Sequence, residues 1–67
     1  MSDELFELRR PIKSYRDRGL YRRFEYALLS FTQVEYKRRR WKVVSLTLEF
    51  VPRATLSFTA KLAKVAS

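Results

Sequence analysis

The stretch Val44-Ser45-Leu46-Thr47-Leu48-Glu49-Phe50, the break Val51-Pro52-Arg53 and the run Ala54-Thr55-Leu56-Ser57-Phe58-Thr59-Ala60-Lys61-Leu62 decide the fold. In both runs apolar and polar residues alternate, the period-2 mark of a strand with one buried face and one wet face. Proline has no N–H for a strand ladder and a fixed φ, so the break predicts a turn. Folding about Pro52 sets Leu48 opposite Leu56, Leu46 opposite Phe58 and Val44 opposite Ala60. Every apolar side chain then falls on one face.

Upstream, Thr32, Val34 and Tyr36 alternate with Gln33, Glu35 and Lys37. A turn centred on Arg39 would pair Val34 with Val44 and Thr32 with Leu46, in phase with the first two strands. No Asn-Gly or Gly marks that turn, so its residues are not fixed by the sequence. The parity of this reading places Trp41 with Val43, Ser45 and Thr47 on the wet face.

Residues 20–31 are ambiguous between helix and strand. Leu20, Phe24, Ala27, Leu28 and Phe31 form one helical stripe, while Phe24, Tyr26 and Leu28 also fit an alternating strand. Branching decides it. No Val, Ile or Thr occurs between Ile12 and Thr32, whereas eight Val or Thr residues run from Thr32 to Thr59. The expected fold is therefore α+β: a three-stranded antiparallel meander at about residues 32–38, 42–51 and 54–62, covered by one helix at about 20–31. The alternative is an all-β meander that closes its core by dimerisation. The C-terminal residues 60–67 either prolong the last strand or fray.

Residues 1–67 read as a single small basic domain in which residues 1–19 form a flexible N-terminal arm. Residues 2–10 fit either a two-turn helix capped by Ser2 and stopped by Pro11, or a frayed end. Residues 9–23, with Pro11 and Gly19 as punctuation and few apolar side chains, read as an extended arm or loop.

Composition excludes several functions. There is no Cys and no His, so disulfides, thiolate chemistry and Cys- or His-based zinc sites are ruled out. The usual general base is missing, and Asp17, Glu25, Glu35 and Glu49 show no paired or metal-ligand spacing. One glycine cannot make a phosphate-cradling loop. The chain is expected not to be an enzyme and to need no cofactor or metal. No run approaches the roughly 20 apolar residues of a membrane span. The acidic opening Asp3-Glu4 is unlike a secretory signal, so an intracellular protein, cytoplasmic or virus- or phage-associated, is expected.

Fifteen Lys and Arg against seven Asp and Glu give a net charge of +8, and ten of the fifteen cations are arginine. Such a chain attracts polyanions, and the guanidinium fork suits phosphate. Two clusters stand out. The first is Tyr36-Lys37-Arg38-Arg39-Arg40-Trp41-Lys42, a basic hairpin tip framed by two aromatics able to stack on a base or sugar. The second is Arg9, Arg10, Lys13, Arg16, Arg18, Arg22 and Arg23, the supporting arm. Together they predict a non-enzymatic nucleic-acid-binding module, for RNA or DNA, that contacts mainly the phosphate backbone. The rival is a small assembly or regulatory subunit that docks on an acidic protein surface, since Tyr, Trp and Arg anchor interfaces. Either way a chain this short is expected to be a homodimer or other homo-oligomer, or a subunit of a larger assembly.

Overall fold

The computed structural model describes residues 5–51 and 55–65. It is an α+β fold of four strands and one helix: β1 Leu5–Pro11, α1 Tyr15–Ser30, β2 Gln33–Tyr36, β3 Arg39–Val51 and β4 Thr55–Lys64. The strands form one antiparallel sheet in the order β1-β4-β3-β2, with α1 on one face. The three predicted strands are present and the all-β alternative is overturned, because residues 20–30 are helical.

The fourth strand is the first correction. Leu5–Pro11 is neither a helix nor an arm: it pairs with β4 from Leu5↔Ala63 to Pro11↔Ser57. The Ser2 cap once expected for it lies outside the described residues. Two turns of helix are marginal alone, whereas a strand here satisfies the far edge of β4. Long-range pairing overrides the local preference. Phe6, Leu8 and Arg10 stand opposite Leu62, Ala60 and Phe58 and share the helix side of the sheet.

The helix begins five residues earlier than its apolar stripe suggests. Ser14 is its N-cap in a reciprocal capping box: the Ser14 hydroxyl accepts from the Asp17 N–H, and the Asp17 carboxylate accepts from the Ser14 N–H. That box recruits residues 15–19, read above as arm, into α1. Gly19 does not break the helix; it lies on the outer face with nothing near the position of a Cβ. Asp17, Leu20, Tyr21, Phe24, Ala27 and Leu28 make the inward stripe. Phe31 was expected to continue it. Instead Phe31 ends the helix in a left-handed conformation, φ 58°, and is 90% exposed.

The core consists of Phe24 and Ala27 from α1, Val34 from β2, Val43 from β3, and Phe58, Ala60 and Leu62 from β4. Phe24 is its hub, edge-on to Phe58 at 6.0 Å and to Tyr36 at 5.7 Å between ring centres.

The β3–β4 hairpin keeps the predicted phase but slips by two residues: Leu46 faces Ala60, Leu48 faces Phe58 and Phe50 faces Leu56. Its connection, 52–54 with Pro52, lies outside the described residues. A bulge then interrupts the ladder between Val43 and Ser45, leaving Val44 unpaired. Beyond it Val43 pairs with Leu62, so the side-chain alternation reverses along one strand. Val43 is buried and Trp41 turns toward the core, the opposite of the wet-face placement predicted for both.

The β2–β3 turn also differs. Tyr36 pairs with Arg39 and Val34 with Trp41, which leaves a two-residue turn of Lys37 and Arg38 in place of a turn centred on Arg39. Both turn residues have positive φ, 53° and 64°. Two such residues match the right-handed twist of the flanking strands, and this is why the tight turn wins over a wider one.

Candidate functional site

The tip of the β2–β3 hairpin gathers the first basic cluster as expected. Lys37, Arg38, Arg39, Arg40 and Lys42 are all exposed. Strand alternation divides those that follow the turn: Arg39 shares the face of Tyr36, while Arg40 and Lys42 project on the other side. Cations therefore surround the turn. Among the described residues the only ion pair is Arg10 with Asp17, so none of the tip cations is neutralised by a carboxylate there.

The two framing aromatics are not free to stack. Trp41 is half-buried, its ring tilted against Phe6 at 5.6 Å and its Nε1–H donating to the Tyr36 carbonyl at 2.9 Å. Tyr36 is half-buried against Phe24, with the Lys37 ammonium 5.7 Å from its ring centre. Their role is to hold the turn to the core.

The second cluster is not one arm. Arg9 lies on the open face of the sheet, its Nε donating to the Thr59 hydroxyl at 3.4 Å. Arg10 is structural: its Nε donates to the Asp17 carboxylate at 2.8 Å. The other Asp17 oxygen accepts from the Lys13 N–H at 2.9 Å and from the Ser14 N–H and hydroxyl at 3.1 Å. These bonds tie the end of β1 to the start of α1. Arg16, Arg18, Arg22 and Arg23 are exposed on α1. Arg23 donates to the Glu35 carbonyl at 2.6 Å, which joins the helix to the strand that leads into the basic turn.

The sequence reading missed two aromatics. Tyr15 is 89% exposed and Tyr26 70%, and with Arg18 and Arg22 they occupy the outward face of α1. The spacing 15, 18, 22, 26 is a second helical stripe, opposite the apolar one. It was legible in principle, but reading residues 9–19 as an arm cut it in half.

The backbone N–H of Lys13 and the Arg10 guanidinium, in that order, hold the Asp17 carboxyl down to about 2. A carboxyl whose pKa is depressed by folding stabilises the fold above its unfolded pKa, near 4, and loses that contribution as the pH falls through about 2. Wild-type protein should therefore lose thermal stability between about pH 4 and pH 2. Asp17→Asn should start from a lower melting temperature at neutral pH and lose less across that window. Parallel melting curves of the two proteins across it would remove Asp17 from the account.

Among the described residues no group of three or more acidic side chains could hold a metal ion, and no helix is long and apolar enough to cross a membrane. Compared with protein-family models, curated proteins and solved structures, the chain matches none.

Proposed function

We propose that the protein is a non-enzymatic nucleic-acid-binding module whose contact centre is the basic β2–β3 turn. The observation that carries this reading is the turn itself. Its two positive-φ positions suit Asn and Gly, yet Lys37 and Arg38 occupy them. Left-handed backbone costs a non-glycine residue roughly 1–2 kcal/mol, and strain of this kind is typical of functional positions. It fixes a dense set of exposed cations on a rigid hairpin, where they need little ordering on contact with phosphate. Arg16, Arg18, Arg22 and Arg23 extend the positive surface along α1, and Tyr15 and Tyr26 take over the stacking role first given to Tyr36 and Trp41.

The first test is a salt titration of affinity for generic duplex and single-stranded RNA and DNA. A linear log–log dependence with a slope of about −4 or steeper is expected for duplex, corresponding to roughly five neutralised phosphates. A slope near zero, or binding only at very low salt, would end the proposal. It would favour the second reading, a subunit that docks on an acidic protein, for which exposed Leu29 beside Tyr26 and Arg22 supplies interface-type side chains.

A further inference from the structure

The long strand β3 is only half covered along its outer edge. β2 pairs with Arg39 to Lys42 and stops. From Val43 to Val51 the strand is bonded to β4 on one side, and among the described residues no other strand or loop backbone reaches its other side. Unpaired strand edges recruit further strands unless something protects them. The opposite edge of the sheet is protected: β1 carries Glu7, Arg9 and Arg10 and ends at Pro11. The free part of β3 holds a single charge, Glu49, and no proline.

Its side chains add to the exposure. Val44 is 49% exposed, Leu48 48% and Phe50 75%, large values for apolar residues in the middle of a strand. Leu48 and Phe50 lie on the helix side but beyond the cover that α1 gives Phe58.

We infer that this edge pairs antiparallel with the same edge of a second copy, making a continuous eight-stranded sheet across a two-fold axis at Thr47. The register follows from the exposed apolar side chains of the free edge. Setting Val44 against Phe50 and Leu46 against Leu48 places the axis at Thr47, while Val43, on the helix side of the bulge, and Val51, on the open face, stay outside the paired stretch. In that register Val44 faces Phe50, Leu46 faces Leu48 and Ser45 faces Glu49. Cross-strand apolar pairs of this kind are favourable, and no like charges meet. Centring on Glu49 instead would oppose two carboxylates.

The choice of a second copy over a foreign strand rests on charge. A chain of +8 repels its own kind, and self-pairing requires a surface free of cations. Residues 43–52 contain none. The arrangement also brings Phe50 of one copy toward the Thr32 end of β2 in the other, next to the outward-turned Phe31. Two aromatics left exposed in the single chain thereby gain apolar neighbours. This inference is independent of what the basic turn binds.

The test uses the full chain, which has no native cysteine to interfere. Sedimentation should show the mass doubling as concentration rises from low micromolar to several hundred micromolar. Over the same range those amides between Val44 and Val51 that point away from β4 should exchange at least tenfold more slowly. Thr47→Cys should oxidise to a covalent dimer, since directly opposed residues have Cα atoms about 5 Å apart, within disulfide reach. Lys61→Cys, on the same open face but in the interior strand, should form no disulfide-linked dimer. Thr47→Lys, which puts two ammonium groups at the axis, should remain folded by circular dichroism and sediment as a monomer. A monomeric wild-type mass throughout would overturn the inference. So would a dimer that leaves these amides unprotected or tolerates Thr47→Lys.

Discussion

Replacing Arg38, Arg39 and Arg40 together by Ala is expected to weaken binding to duplex nucleic acid by about a hundredfold near physiological salt. Each phosphate contact releases condensed counterions and contributes about 0.9 to the log–log salt slope, which near 0.15 M amounts to roughly fivefold in affinity. Three contacts multiply to about a hundredfold, and the slope should flatten by about 2.7. The loss should be similar for all sequences, because phosphates carry no base information. All three side chains are exposed and none is ion-paired among the described residues, so the circular dichroism spectrum should not change. Unchanged affinity and slope would remove the turn from the interface.

A paired substitution at the same turn separates strain from charge. Lys37→Asn with Arg38→Gly places preferred residues at the two positive-φ positions and should stabilise the hairpin by about 1 kcal/mol or more. It also deletes two cations, so affinity should fall while the melting temperature rises. Loss of affinity through unfolding could not produce that combination.

Phe24→Ala should have the largest effect on stability. Phe24 is fully buried and touches both Phe58 and Tyr36, so its removal deletes the contact that joins helix, central strand and hairpin at once. Buried Phe→Ala substitutions cost about 3–5 kcal/mol. At roughly 0.05–0.15 kcal/mol per residue, the total for a domain of this size is only several kcal/mol. The variant should therefore be largely or wholly unfolded at 37 °C in thermal melts. Tyr26→Ala, two residues on and exposed, should shift stability by no more than about 0.5 kcal/mol. Similar melting curves for the two variants would mean that α1 does not seat on Phe24.

The parts legible in the sequence are those with long, regular patterns. Leu46 to Phe50 and Leu56 to Leu62 alternate without interruption, and their strands and the face each side chain takes follow, although Leu48 and Phe50 stay exposed on that face. Leu20, Phe24 and Leu28 could be placed on a helix because branching excluded the strand. What escaped were events one or two residues long or made by distant partners. β1 forms because β4 has an edge to satisfy, which no local feature of Leu5–Pro11 announces. The helix start rests on Ser14 and Asp17, two polar residues inside a run that otherwise reads as basic loop. For the site, the tip cations were found by density alone, whereas the availability of the aromatics depended on parity, and the reading of parity failed at Trp41.

Val44 works as a frameshift within a strand. One extra residue lets Trp41 and Val43 on one side of it, and Leu46 on the other, all address the same core although their numbers differ in parity. A protein that keeps both groups inward is thereby committed to an exact residue count between Trp41 and Leu46. Deleting Val44 would put the two halves of β3 back into a single frame and force one of them to turn inside out. A chain with fewer than seventy residues has no spare core to absorb that inversion. Length at this position is more tightly constrained than chemistry: a bulkier or more polar residue at 44 changes the surface, whereas its removal rewrites the interior.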